Sequence, residues 1–163
     1  MQTEAETAET MKFIADAMLG RLAKWLRVIG CDVSYYRKIE DAELVDLAAR
    51  EGRLILTRDT LLIKRRKAQG NFLFVEGNSY KDQLKQVVRR FSLDPYQNLL
   101  TRCTECNIPL TGIDKEQLKD RIPEYVYNSQ GRFLACPGCE KIYWPATHRD
   151  EMVKTLEELF RTE

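Results

Sequence analysis

Cys103 and Cys106 in "RCTECN" and Cys136 and Cys139 in "ACPGCEKIYW" form two C-x-x-C pairs about thirty residues apart. Two residues between thiolates let both sulfurs of a tight turn face one ion, and two such turns complete a tetrahedral four-thiolate site for Zn²⁺. The chain between the pairs must then fold back on itself. It is longer than the roughly 15 to 20 residues usual between such pairs, which predicts extended hairpins, and Gly138 is expected to relieve the second turn. A redox dithiol of thioredoxin type uses a single pair near a βαβ pattern, so structural zinc is the expectation. Such a site is closed: it holds a small module together and leaves no open position for chemistry. His148, the only histidine, is a nearby fifth candidate ligand, more simply read as a surface or nucleic-acid-facing residue. Cys31, without a neighbouring partner, reads as a small buried apolar residue.

Upstream of the cysteines the pattern alternates strand and helix. "KFIAD" reads as a short buried strand ending at Asp16, and Leu19, Leu22, Ala23 and Leu26 then recur at helical spacing until Gly30. "CDVSYY" suits a second strand, "DAELVDLAAREG" a helix with Asp41 as N-cap and Gly52 at its end, and "RLILT" a third strand. After Asp59 come a basic segment, "LLIKRRKAQG", a fourth strand in "NFLFV", and a helix in "KDQLKQVVRRFSL" with Leu84, Val87, Val88 and Phe91 inward. Alternation of this kind implies a parallel sheet flanked by helices. Residues 1–10 lack apolar periodicity and read as a disordered extension, 11–99 as the α/β domain, and 100–163 as a small β-rich module, with runs such as "EYVYN" and "RFLAC", closed by an amphipathic helix in "EMVKTLEELF".

Charge is uneven: −3 over residues 1–10, +6 over 11–99 and −2 over 100–163. The basic segment suits a polyanion, although an excess this small also fits an ordinary solvated surface. No run of eighteen apolar residues exists, and the acidic opening is unlike a signal peptide. The expectation is a soluble cytoplasmic protein with no membrane association, a compartment in which paired thiols hold metal.

Within the basic segment, Asp16 ends the first strand, Asp41 starts the second helix and Asp59 follows the third strand. In a parallel sheet all three rise at the edge where ligands bind. Together they are candidate ligands for Mg²⁺ or Mn²⁺, although each also has a local explanation as a cap or strand end. Arg21, Lys24 and Arg27 recur at three-residue spacing after Asp16, Arg58 adjoins Asp59, and "KRRK" spans 64–67. Carboxylates among bases suit a metal-dependent phosphodiesterase, whereas a metal-free ribonuclease wants a pair of histidines.

Taken together, "MKFIADAMLGRLAKWLRVIGCDV", "DAELVDLAAREGRLILTRD", "RCTECN" and "CPGCEKIYWPATH" resemble the Mut-seven C-terminal RNase family, a PIN-like nuclease domain fused to a zinc ribbon. The resemblance implies a PIN-like fold and ribonuclease activity, and by position its acidic pattern falls on Asp16, Asp41 and Asp59. Thr57 would be an accessory that orients a carboxylate or water. A fourth acidic residue has no clear place, with Glu43 and Asp46 as candidates and Asp82 a weaker one. The expected function is an Mg²⁺- or Mn²⁺-dependent ribonuclease acting on single-stranded RNA, with structural zinc. The alternative is a non-catalytic RNA- or ribosome-associated binding module, in which Tyr125, Tyr127, Phe133, Tyr143 and Trp144 would stack on bases or form the ribbon's core.

Overall fold

The computed structural model describes residues 11–145 and 147–161, without the side chains of Thr147 and His148. The expectations of a disordered extension over 1–10 and of a role for the His148 side chain lie outside what is described. The chain divides into two compact units after Asn107, several residues beyond the change in composition that suggested a boundary at 99.

In the first unit, β1 (Lys12–Ala15), β2 (Asp32–Tyr35), β3 (Leu54–Thr57) and β4 (Phe72–Phe74) form one sheet in the order β2-β1-β3-β4. All three pairings are parallel. Helices α1 (Gly20–Val28) and α2 (Asp41–Glu51) supply the first two crossovers, two 3₁₀ turns (Leu62–Lys64 and Arg66–Ala68) lie in the third, and α3 (Tyr80–Arg90) follows β4. Successive strand residues serve opposite faces, as the pleat requires. Ile14 and Ile55 join Leu44, Val45 and Ala48 of α2 in one buried cluster. Phe13 instead meets Phe91, at the end of α3, edge to face with ring centroids 5.2 Å apart. The order of the strands reverses direction at the β1/β3 junction, so the carboxyl ends of those two strands flank the crevice where open α/β sheets bind ligands.

Local signals explain the helix ends. Gly30 ends the first helical stretch with φ at +95°, and a Cβ there would lie 2.4 Å from the Asn98 carbonyl oxygen. Gly52 ends α2 in the left-handed region, the usual glycine C-terminus. Asp41 departs from expectation. It is the first residue of α2 and not its N-cap, because the extended backbone turns at Glu40, whose side chain makes no capping bond.

The second unit, residues 108–161, has three two-residue strands, β5 (Thr111–Gly112), β6 (Leu134–Ala135) and β7 (Ile142–Tyr143), paired antiparallel. Leu118, Val126 and Phe133 form its buried cluster, with Trp144 packed against it. "EYVYN" is not strand: it lies in α4 (Glu124–Ser129), entered from Pro123. The last helix, α5 (Thr147–Phe160), buries Leu156 and Leu159. No described helix is long and apolar enough to cross a membrane.

Candidate active site and metal centre

Asp16 leaves the end of β1 almost fully buried, 5% exposed. Burial of a carboxylate requires donors, and three are present. The Met18 amide donates to Oδ1 at 2.8 Å, and the Thr57 hydroxyl at 2.5 Å and the Arg58 amide at 2.9 Å donate to Oδ2. Thr57, the last residue of β3 and fully buried, also accepts the Asp59 amide at 3.0 Å through the same oxygen. One hydroxyl therefore ties the Asp16 carboxylate to the backbone of Asp59. This is the orienting part expected of Thr57.

Asp59 Oδ1 in turn accepts the amides of Leu61 and Leu62, while Oδ2 takes no hydrogen bond among the described residues. Asp41 differs from both, making no hydrogen bond or ion pair there. Its pKa is raised, first by burial, then by the charge of Asp59 and by those of Asp16 and Glu40, against the pull of Arg65. Asp41 thus feels both other carboxylates, with the charge of Arg65 acting against them. The three are not yet gathered as tightly as ligands on one ion, since among the described residues only the cysteines place three or more ligand atoms within 4.8 Å of one another. The donor set of hard oxygens suits Mg²⁺ or Mn²⁺. Of the other acids considered, Asp46 is paired with Lys67 at 2.9 Å, and Glu43 and Asp82 are exposed. Glu40, which the sequence reading did not single out, also adds its charge beside Asp41.

The basic residues separate into three groups. Arg21 and Lys24 are exposed on α1, and the Arg21 guanidinium carbon sits 4.3 Å from the centroid of the Tyr80 ring. Arg27 is not a third member of that face. It is 7% exposed, and its guanidinium donates to the carbonyl oxygens of Val33, Thr104 and Glu105. At 3.6 residues per turn, a three-residue step rotates by roughly −60° and carries the third member to the buried flank. Arg58 holds a different kind of opportunity: its Nε is buried with no hydrogen-bond partner among the described residues, beside an amide that binds Asp16.

The four cysteine sulfurs, of Cys103, Cys106, Cys136 and Cys139, lie within 4.8 Å of one another. A tetrahedron with Zn–S bonds of about 2.3 Å has edges of roughly 3.8 Å, which is within that bound. The two knuckles repeat one geometry. The Asn107 amide bonds to the Cys103 carbonyl and the Glu140 amide to the Cys136 carbonyl, both at 2.9 Å, and Asn107 and Glu140 both have positive φ. Gly138 is outside the left-handed region, so it does not supply the turn's conformational freedom. Its amide instead donates to Cys136 Sγ at 3.3 Å, as the Cys106 amide does to Cys103 Sγ at 3.4 Å.

Asn107 anchors the first knuckle. It donates to Asp32 Oδ1 at 2.6 Å and accepts the Val33 amide at 2.9 Å, and Asp32 is also paired with Arg53 at 2.7 Å. Burial pulls the Arg27 pKa down, and the charges of Cys103 and Cys106 oppose it. Cys31 is apart from this set, and burial pushes its thiol up to about 12, which makes it a neutral filler, not a nucleophile. Among the aromatics of the second unit, Phe133 packs in the core with Trp144, Tyr127 and Tyr143 lie under Lys115 and Lys141, and only Tyr125 is widely exposed.

The class is that of a parallel α/β sheet flanked by helices, with a C-terminal cluster of four cysteines that fits a zinc ribbon. The chain belongs to the Mut7-C RNAse domain family, whose sequence model matches residues 11–156. No curated protein and no solved structure gives a match to it.

Proposed function

We propose that the protein is a divalent-metal-dependent ribonuclease in which Asp16, Asp41 and Asp59 hold a catalytic Mg²⁺ or Mn²⁺ and the cysteine centre holds structural Zn²⁺. The observation that carries this reading is Asp41: a carboxylate that feels the charges of Asp59 and Asp16 and makes no hydrogen bond or ion pair among the described residues. Converging carboxylates need protons or a cation to be tolerated. When bound, the divalent ion would activate water and neutralise charge at the scissile phosphate.

The chain's own residues account for the rest. Thr57 and the amides of Met18 and Arg58 fix Asp16, and Glu40, whose charge also acts on Asp41, is a further candidate for the set. Arg21, Lys24 and Arg58 face the backbone of RNA, and a phosphate oxygen would satisfy the orphaned Arg58 Nε, a charge-assisted bond of the stronger kind. Arg27 has no part in this, since it is occupied by backbone carbonyls. A non-catalytic RNA- or ribosome-associated module would keep the basic face but gives no reason for an Asp41 carboxylate set near Asp59 and Asp16 without a hydrogen bond or ion pair among the described residues. The cytoplasm fits paired thiols that hold metal in place of disulfides.

The test is labelled RNA incubated with zinc-loaded protein, with Mn²⁺ or with EDTA, beside Asp16→Asn. Cleavage should need Mn²⁺ and vanish in the variant. Equal cleavage by Asp16→Asn would mark a contaminant or a different site and remove the proposal.

A further inference from the structure

Six large hydrophobic side chains stand exposed among the described residues, and three of them, Met18 (68%), Tyr36 (44%) and Leu61 (68%), lie on the loops that follow β1, β2 and β3. These are the loops of the carboxylate edge. Exposed apolar residues scattered singly mean little. Here, however, two of the three are tied to the site carboxylates through their own amides, and the third follows a residue bonded to the loop after β1. The Met18 amide binds Asp16 and the Leu61 amide binds Asp59, both at 2.8 Å. Tyr36 follows Tyr35, whose hydroxyl donates to the Ala17 carbonyl at 3.0 Å. Gly20 permits that approach, since a Cβ there would lie 2.9 Å from the Tyr35 hydroxyl.

A second regularity accompanies the first. Each apolar side chain is followed within four residues by exposed bases: Arg21 after Met18, Arg37 and Lys38 after Tyr36, Lys64 and Arg65 after Leu61. A surface alternating apolar and cationic contacts complements a polyanion that also presents apolar faces. Single-stranded nucleic acid has both, whereas a duplex keeps its base faces within the stack.

We infer that Met18, Tyr36 and Leu61 form a base-contacting rim that makes this edge select single-stranded RNA, by contact with base faces and without reading sequence. The inference rests on the ribonuclease reading for its substrate. The rim positions the strand; the carboxylates and bases already described do the remainder.

The experiment compares three labelled ligands of equal length by fluorescence anisotropy, with zinc-replete full-length protein and no added divalent cation: a mixed-sequence single strand, its abasic counterpart with the same phosphates, and a duplex. Wild type should prefer the base-bearing strand to the abasic one by roughly tenfold or more, the scale of base stacking on side chains. The triple variant Met18→Ser, Tyr36→Ala, Leu61→Ser should lose that preference while binding the abasic strand as wild type does, and Tyr36→Trp alone should keep it. A triple variant that retains the preference overturns the inference. So does a wild type that binds both strands equally, the result expected if the rim serves a protein partner. Failure of the ribonuclease reading looks different: wild type would not cleave in Mn²⁺ although the base preference persisted.

Discussion

Replacing Thr57 by valine changes almost nothing in shape and removes one hydroxyl that serves two partners. On hydrophobicity alone, a fully buried strand position should tolerate or welcome valine. The hydrogen bonds predict the opposite sign. Loss of the bond to the charged Asp16 carboxylate costs about 1.5–3 kcal/mol, and the Asp59 amide, left without its acceptor, costs about 1–3 kcal/mol. Asp16 keeps the Met18 and Arg58 amides, so the larger penalty of about 3–5 kcal/mol for stranding a buried charge does not apply. Asp59 is only half-buried, which limits the second contribution. A destabilisation of about 2–4 kcal/mol follows. Thr57→Ser keeps the hydroxyl and loses one methyl, about 1 kcal/mol. Urea unfolding, followed by Trp25 fluorescence in a Trp144→Phe background, measures both variants in the first unit. If Thr57→Val proves as stable as Thr57→Ser, the hydroxyl is not the tie between Asp16 and Asp59, and the preorganisation of the edge must come from elsewhere.

Elemental analysis should find one zinc per chain, and Cys136→Ser should lose it together with the structure of the second unit, since binding free energy at such sites is largely folding free energy; unchanged zinc in the variant would contradict this. Charge reversal of Arg21 and Lys24 should weaken RNA binding for all sequences and reduce the slope of log affinity against log salt by about one unit per lost contact. Arg27→Met should instead lower stability while leaving that slope alone, and the opposite pattern would restore Arg27 to the RNA-facing group. For Asp32, burial raises the pKa but the hydrogen bonds from Arg53 and Asn107 outweigh it and leave the carboxyl low. A lowered folded-state value means stability that is present above the unfolded value of about 3.9 and is lost as pH falls through the folded one. Asp32→Asn should therefore flatten the loss of stability below about pH 4, and identical acid unfolding of the two proteins would remove the network from the account.

Much of the frame was legible because its signals are local. Strands of four residues at Lys12–Ala15 and Leu54–Thr57, and the helix stop at Gly52, follow directly from apolar runs and a left-handed glycine. Asp16 and Asp59 stood out by position just after apolar strand runs, Thr57 as the end of one, and Asp41 as the start of a helix. What was not legible depends on rotation or on tertiary partners. Arg27 shares a sequence spacing with Arg21 and Lys24 but not a helix face. Asp41 has the residue type of a cap, yet the chain turns one residue earlier, at Glu40. The domain boundary moved because residues after the composition change bond back to the α/β unit, Leu100 to Val28 and Asn107 to Asp32. "EYVYN" has strand-like composition, and Pro123 before it starts a helix instead. The orphaned Arg58 Nε and the exposure of Met18, Tyr36 and Leu61 have no sequence signature at all, because burial is a property of the assembled loops.

The central claim is that Asp16, Asp41 and Asp59 hold one divalent cation that RNA cleavage requires. The most direct measurement titrates Mn²⁺ into zinc-loaded wild type, Asp41→Asn and Asp59→Asn, counts bound Mn²⁺ by electron paramagnetic resonance, and follows single-turnover RNA cleavage in the same samples. Wild type should bind one Mn²⁺ and cleave in step with occupancy. Asp59→Asn should keep its zinc and fold, lose Mn²⁺ binding, and cleave at least about a hundredfold more slowly, as expected when the ion supplies the nucleophile. Wild-type cleavage by Asp59→Asn, or Mn²⁺ binding unchanged in both variants, would contradict the account and leave an RNA-binding module in its place.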